Sequence, residues 1–147
     1  MKHKLVSNVA GVRRFVVVMD PGNEAMGKLG EFARAQGIRG ASLSAIGGFS
    51  SAKVGWFDID EREYRPIPVD EQCEVLGLQG DIARNEKGEP VVHAHAVLGL
   101  RSGETRGGHL LAGIVRPTLE VVIVETPAEL RRTNRPQYGI PLIDLSA

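Results

Sequence analysis

The residues of this chain best suited to chemistry are three histidines within a window of seventeen residues, in a sequence that contains only four. His93 and His95 are separated by one alanine inside an apolar run, and His109 follows a pair of glycines. Because alternate side chains of a β-strand share a face, we expect the first two imidazoles on one face, about 7 Å apart. With a third ligand from a neighbouring segment, they predict the three-ligand arrangement with one open position that catalytic zinc sites use. We expect the ring nitrogens of all three to converge to within about 3 to 4 Å.

Packing is the competing explanation for histidines in an apolar strand. A single histidine there is more commonly a hydrogen-bonded core residue than a ligand, whereas two adjacent buried imidazoles without a shared partner are costly. The strand register matters as well. If residues 101–106 form the loop between two paired strands, His109 lies opposite Leu98, roughly 10 Å along the ladder from His95. A bulge at the glycine pair, a wider loop or a site built across a subunit contact would then be needed to complete the site.

Composition and charge indicate a globular domain and exclude several classes of protein. The 147 residues are 42% hydrophobic and 24% charged, which is ordinary for a soluble domain with a real core. Eighteen basic and eighteen acidic residues give zero net charge, so a broad surface for nucleic acid or anionic lipid is not indicated. The single Cys73 excludes an internal disulfide. Residues 1–8 lack the apolar segment of a signal peptide and no apolar stretch is long enough to span a membrane, so we expect a cytoplasmic protein.

One amphipathic helix is predicted near the start of the chain. Residues 13–19 are rich in β-branched side chains and end at an Asp-Pro-Gly turn, which predicts a buried strand. From residue 24 to residue 36, apolar residues recur every three or four positions. Asn23 is the predicted N-cap and Gly37 the residue that ends the helix.

Most of the remaining chain shows strand patterns divided by turn residues. Strands are predicted over residues 41–46, 53–58, 64–69, 73–83, 91–100, 110–115 and 119–125. One helix followed by many strands predicts an α+β fold, with the helix packed on a strongly curved, largely antiparallel mixed sheet of about six to seven strands.

The domain organisation follows from the same pattern. We expect a single domain over residues 1–147, with its core at about 10–127 and an extended C-terminal tail at 128–147. Two prolines exclude a regular helix from the tail. Its apolar side chains nevertheless favour burial over the domain or a neighbour: Tyr138, Ile140, Leu142 and Leu145.

Short motifs along the chain occur in an order that is typical of one family. They are Arg14-Phe15, Asp20-Pro21-Gly22, Ile46-Gly47-Gly48, Gly55-Trp56-Phe57-Asp58, Gly80, His93-Ala94-His95, Gly107-Gly108-His109-Leu110 and Leu119-Glu120-Val121. This order resembles the PPC domain (plants and prokaryotes conserved, also called DUF296) over about residues 10 to 127. The pairing of H-x-H with Gly-Gly-His is the most specific part of the resemblance.

The resemblance implies an α+β domain that assembles as a homotrimer and binds zinc through His93, His95 and His109. We expect Gly47 and Gly48 to lie close to a subunit contact. Plant members are nuclear proteins that bind AT-rich DNA, and bacterial relatives are often labelled DNA-binding. In the plant proteins a separate Arg-Gly-Arg-Pro hook enters the minor groove. Since the nearest segment here, residues 131–136, lacks the glycine, we expect direct DNA binding to be weak.

Two hypotheses about function therefore stand. The first is a metal-binding domain that acts on an unidentified small molecule, and the second is an interaction or DNA-associated regulatory module that works through its trimer surface. If the chain is an enzyme, metal-bound water is the best nucleophile, because zinc lowers its pKa from 15.7 to about 7. The candidate proton acceptors or partners of the metal ligands are Glu104 and Glu120, although a loop tip and a strand surface explain these two residues equally well.

Overall fold

A nine-stranded sheet with one helix makes up residues 1–146, the part of the chain that the computed structural model describes. The elements are β1 (Lys2–Val9), β2 (Val12–Met19), α1 (Ala25–Gln36), β3 (Gly40–Asp58), β4 (Glu63–Val69), β5 (Cys73–Arg84), β6 (Pro90–Gly99), β7 (Thr105–Glu125), β8 (Arg131–Arg135) and β9 (Ile140–Asp144). Every pairing among them is antiparallel except that of β5 with β8. The predicted α+β class with a mostly antiparallel mixed sheet is confirmed.

The predicted count of six to seven strands was wrong. Two pairs of predicted strands are each one continuous strand, and β1, β8 and β9 were not predicted. Residues 41–46 and 53–58 belong to the continuous β3, and residues 110–115 and 119–125 belong to β7. The glycines after Ile46 suggested a chain break, but a side chain at Gly47 would overlap the carbonyl oxygen of Thr118 in β7. Glycine is therefore required there by the close approach of two paired backbones.

The helix begins and ends close to the predicted residues, with a different cap. Glu24, not Asn23, is the N-cap, and its carboxylate accepts hydrogen bonds from the backbone N–H groups of Met26 at 3.2 Å and Gly27 at 2.6 Å. The Asn23 side chain instead accepts from the backbone N–H of Asp20 in the preceding turn. Gly37 has φ of 63° and ends the helix as predicted.

The sheet has an inner face that packs against α1 and an outer face that does not. Phe15 of β2 meets Phe32 of α1 edge to face at 5.3 Å between ring centroids, inside a core that includes residues of all the long strands. Alternation along β6 buries Ala94 and Ala96 and turns His93 and His95 to the outer face.

Four strands close into a ring, which supplies the curvature of the sheet. β3 pairs with β5, β5 with β6, β6 with the start of β7, and β7 again with β3. This closure brings residues distant in sequence onto neighbouring strands of one outer surface. No helix among residues 1–146 is long and apolar enough to cross a membrane.

The C-terminal tail forms the hairpin β8–β9, which joins the sheet beside β5 through Arg84 and Arg131. Of the tail side chains expected to be buried, Ile140 and Leu142 are half-buried on this hairpin. Tyr138 lies in the turn between the two strands, and Leu145 follows β9 and is 89% exposed. Of these four side chains, therefore, only the two on β9 are partly buried within the chain.

Candidate metal centre

The three predicted ligands meet on the outer face of β6 and β7. His109 lies directly opposite His95 in the antiparallel ladder, and His93 is two residues away on the same face. The ring centroid of His93 is 5.1 Å from that of His95 and 5.1 Å from that of His109. The centroids of His95 and His109 are 5.4 Å apart. One nitrogen from each imidazole can be chosen so that all three lie within 4.8 Å of one another.

This spread is wider than the 3 to 4 Å expected from the sequence. Bonds of about 2.0 to 2.1 Å to a tetrahedral zinc ion require ligand nitrogens about 3.3 Å apart, so the rings need to close by no more than about 1.5 Å. Rotation of histidine side chains covers such a distance without any movement of the strands.

The register between β6 and β7 differs from the one expected for a loop at residues 101–106. Gly99 pairs with Thr105, so the connection consists of residues 100–104, and each residue of β6 has a partner three positions earlier in β7 than expected. His109 consequently faces His95 instead of Leu98. The pairing runs from residues 95 and 109 to residues 99 and 105 without a shift, so a bulge at the glycine pair was not needed.

Gly108 is required for close contact between β7 and β3, not for a bulge. A Cβ atom there would lie 2.6 Å from the carbonyl oxygen of Gly55 in β3, closer than side chains approach a backbone. Gly55 is also the ladder partner of His109. Position 108 is therefore a point where β3 and β7 touch, and a larger residue would push the strand that carries His109 away.

A partly buried ion pair between Asp81 and Arg132 supports His93. Asp81 lies opposite His93 in β5, and its Oδ2 is 3.3 Å from Nδ1 of that ring. Arg132 of β8 donates from Nη2 to both carboxylate oxygens, at 2.8 and 2.7 Å, and the same Nη2 is 3.1 Å from Nδ1 of His93. When Nδ1 carries the proton and donates it to Asp81, the lone pair of Nε2 is free for a metal, which is the orientation that carboxylates impose on metal-binding histidines.

The electrostatics of the site keep its groups in the forms that metal binding needs. The pKa of His109 is lowered to about 4, first by burial and also by the neighbouring His93, His95 and Arg132. Burial and the neighbouring His93 also lower the pKa of His95. Burial raises the pKa of the Asp81 carboxyl, but hydrogen bonds from His93 and Arg132 and the charge of Arg132 outweigh it, so that pKa falls below its usual value. At neutral pH the two rings are neutral and the carboxylate is charged.

The residues present fit a bound divalent ion. Tyr64 of β4 stacks on His109 at 4.6 Å between centroids and 27° between planes, so one side of that ring is covered by an aromatic group. Among residues 1–146, nothing lies within hydrogen-bond distance of the buried Nδ1 of His109. Three polar rings brought together with so few partners are costly, and a metal ion shared among them would offset that cost.

The two glutamates proposed from the sequence lie away from the three histidines. Glu104 is an exposed residue of the loop between β6 and β7, five residues along the ladder from His109, roughly 17 Å at the rise of an antiparallel strand. Glu120 lies eleven residues further along β7 than His109 and pairs with Val18 and Ile46. The structure brings neither carboxylate into the site.

Three residues of the site were missed by reasoning from the sequence: Asp81, Arg132 and Tyr64. A signal existed for Asp81, since the polar residues 85–89 are typical of a hairpin turn, and pairing of Arg84 with Pro90 around that turn places Asp81 opposite His93. No comparable signal existed for the other two. Arg132 reaches the site because β8 joins the distant strand β5, and Tyr64 because β4 pairs with the part of β3 that lies beside His109.

Comparison with known proteins supports this description. The sequence pattern of the Plants and Prokaryotes Conserved (PCC) domain matches residues 6–127. A solved plant- and prokaryote-conserved protein from Pyrococcus horikoshii is 31% identical, with a TM-score of 0.84 over 90% of this chain and 91% of its own. A solved metal-containing protein from Archaeoglobus fulgidus is 29% identical, with a TM-score of 0.82 over 97% of this chain and 96% of its own. Other solved neighbours carry a provisional DNA-binding assignment.

Similarity also extends to part of a much larger protein. The bifunctional protein GlmU of a Synechococcus species is 31% identical over 127 residues, which are 85% of this chain and 19% of that protein. The chain thus spans about a fifth of the length of the curated relatives it matches.

Proposed function

The chain belongs to the Plants and Prokaryotes Conserved (PCC) domain family, as its motifs predicted, and we propose that its function depends on a zinc ion bound by His93, His95 and His109. The observation that carries this proposal is the convergence of three imidazole nitrogens to within 4.8 Å on one sheet surface. Neutral imidazoles suit zinc, and three protein ligands leave a fourth position for a ligand from solution. The metal-containing relative from Archaeoglobus fulgidus adds support.

The residues around the histidines have distinct roles in this proposal. Asp81 orients His93 and fixes its tautomer, and Arg132 holds Asp81 in place. Tyr64 covers one face of His109. Zinc in such a site acts as a Lewis acid towards a bound small molecule. A cavity lined in part by His93 and His109 gives a small molecule access to the site. We therefore propose that the function is the binding or conversion of a small molecule.

Metal analysis of the purified protein tests the proposal. Protein prepared without an affinity tag should contain about one zinc ion per chain by inductively coupled plasma mass spectrometry. Dialysis against a chelator should remove the ion, and titration with zinc should restore the same ratio. Protein that takes up no divalent metal in that titration would contradict the proposed function.

Asp81→Asn should weaken zinc binding about 10- to 100-fold, the usual effect of removing a carboxylate that orients a metal-binding histidine. The asparagine retains the shape of the side chain but leaves Arg132 without its counter-charge and His93 without a charged acceptor. Competition with a coloured chelator measures the zinc affinity. Glu125→Gln is the matched control, because Glu125 also forms an ion pair, with Arg13, next to the C-terminal end of α1. Equal zinc affinities of the two variants would refute the role given to Asp81.

We also propose that the protein is a homotrimer assembled through the outer face of the sheet. Supporting this, large apolar side chains are exposed together on that face: Ile46 at 62%, Leu76 at 56%, Val97 at 48% and Val122 at 43%. Ile46 and Leu76 line one shallow concavity. Apolar patches on a protein surface mark interaction sites. Gly47 lines the same concavity, although the approach of β7 already explains why glycine is needed there.

The alternative function is a DNA-binding or regulatory module, as the names of some solved neighbours suggest for those proteins. The arginines closest to an AT-hook are already paired within this chain. Arg131 contacts Glu129, Arg132 is buried against Asp81, and Arg135 contacts Asp144. With zero net charge as well, little positive surface is left for phosphates.

We therefore expect binding to duplex DNA to be nonspecific and weaker than micromolar at physiological salt, within the range of about 10⁻⁴ to 10⁻⁶ M typical of nonspecific contacts. Titration of an AT-rich and a GC-rich duplex at about 50 and 200 mM salt measures both affinity and its salt dependence. Submicromolar affinity for the AT-rich duplex at the higher salt, retained in His93→Ala, would favour the regulatory module over the metal site.

A further inference from the structure

A cavity beside the three histidines provides a place for a ligand. It has a volume of about 230 Å³ and lies between the strands that carry the histidines and the C-terminal hairpin. Apolar side chains of β6 and β9 form much of its wall, while His93, His109, Tyr64 and Arg132 supply its polar groups. It is smaller than the roughly 300 to 1,000 Å³ typical of drug-sized ligands, so it suits a compact molecule with an apolar part.

Arg132 is the charged residue in the wall of this cavity, and it is 93% buried, since only 7% of it is exposed. Its Nη2 is committed to Asp81, and its Nη1 donates to the backbone carbonyl of Pro141 at 3.3 Å. Its Nε has no partner among the residues that the structure describes. A guanidinium has five N–H donors, so Arg132 retains donor capacity beyond its contacts within the chain.

The charges around the cavity favour an anion. No acidic side chain is among the described residues that line it. Asp81 balances the charge of Arg132, and imidazoles bind a metal ion in their neutral form. A divalent ion on the three histidines therefore leaves this end of the molecule with surplus positive charge, which attracts a ligand of opposite sign.

The chemistry of the wall favours a carboxylate over a phosphate. With its Nη2 committed to Asp81, the single guanidinium keeps too few N–H donors to surround a phosphate, whereas a carboxylate needs only one or two. Phosphate sites generally surround three oxygens with several donors or with a helix N-terminus, and the apolar remainder of this wall offers neither. The same apolar wall suits a short hydrocarbon chain attached to the carboxylate.

We propose that this cavity binds a small monocarboxylate, with the carboxylate between Arg132 and the histidine-bound metal and the short apolar chain against the side chains of β6 and β9. This inference rests on the proposed function, because the zinc ion supplies part of the positive charge. It adds to that function the class of molecule that the site accepts.

Calorimetric titration of the zinc-saturated protein tests the proposal with three probes: isobutyrate, its neutral counterpart isobutyramide, and inorganic phosphate. We expect isobutyrate to bind at least about tenfold more tightly than isobutyramide, since charge-assisted hydrogen bonds are roughly twice as strong as neutral ones. Equal affinities for the acid and the amide would overturn the proposal. So would tighter binding of phosphate than of isobutyrate.

Three variants test whether isobutyrate binds in this cavity, with zinc kept saturating so that metal uptake does not affect the result. Arg132→Lys keeps the positive charge beside Asp81 but loses the planar fork, and we expect it to weaken isobutyrate binding about tenfold at saturating zinc. Arg131→Lys, on the same strand with its side chain 51% exposed, is the matched control and should leave isobutyrate affinity unchanged. Leu142→Phe fills the cavity and should weaken both acid and amide. Unchanged isobutyrate affinity in Arg132→Lys would overturn the proposal.

Zinc content measured on the same samples distinguishes a failure of the proposed zinc site from a failure of the proposed carboxylate ligand. Wild-type protein that cannot be loaded with zinc contradicts the proposed function. Wild-type protein that holds zinc but shows no preference for the carboxylate contradicts the inference about the ligand and leaves the metal site standing.

Discussion

His109→Ala should reduce the zinc content of the protein from about one ion per chain to nearly none after dialysis against metal-free buffer. The reason is geometric, because His109 is the ligand contributed by β7, directly across the ladder from His95. Without it, two imidazoles on one strand remain, and two ligands hold zinc poorly. Single alanine substitutions of His93 and His95 should have the same result.

The matched control is His3→Ala, which removes the remaining histidine of the chain. His3 lies on β1 and its ring contacts Phe32 of the helix, which packs on the inner face of the sheet, whereas the other three histidines lie on the outer face. This variant should keep the wild-type zinc content. Thermal unfolding of each metal-free variant separates a lost ligand from a lost fold. A folded His109→Ala protein that still holds stoichiometric zinc would show that the three histidines are not the ligands.

Ile46→Glu should convert the proposed homotrimer into monomers of 15.9 kDa. Ile46 is 62% exposed on the outer face, within the patch proposed as the subunit contact. An interface would have to bury the glutamate, and burial of a carboxylate without a partner is strongly unfavourable. Since the side chain lies on the surface of the isolated chain, the fold of each subunit should be preserved. Light scattering coupled to size-exclusion chromatography measures the mass.

Ile59→Glu is the matched control for this experiment. Ile59 is exposed to a similar extent, 57%, but it lies in the turn between β3 and β4 and not on the outer face. It should leave the mass at three times that of the chain. A wild-type protein with a mass near 15.9 kDa at micromolar concentration would refute the trimer itself.

Local patterns in the sequence were sufficient for several features of the structure. The period of apolar residues predicted the helix to within one residue at its start. Alternation in a strand predicted that His93 and His95 share a face while the alanines between and beyond them are buried. These predictions depend only on the geometry of a single helix or strand, which nearby residues determine.

Local sequence patterns gave wrong predictions at glycines, because a glycine can mark either a turn or a close contact between two strands. Glycines after Ile46 were taken as a chain break, but they serve a crossing of paired backbones in the middle of a long strand. A bulge at the glycine pair before His109 was one of three ways to complete the site, but β6 pairs there with β7 without a shift, and Gly108 is needed for contact with Gly55. A glycine in a sequence indicates a backbone constraint without identifying which neighbour imposes it.

By itself the sequence determined the family, the fold class and the three histidines as candidate ligands, since each depends on residue types and short spacings. Only the tertiary structure decided the register that sets His109 opposite His95, because a loop closed at residues 100–104 or at residues 101–106 is equally compatible with the local pattern. Only the tertiary structure placed Asp81 and Arg132 behind His93, fifty-one residues apart in the chain and 2.7 Å apart in space. The physical reason is that ring closure of the sheet and addition of the C-terminal hairpin depend on the packing of the whole core, which no short segment encodes.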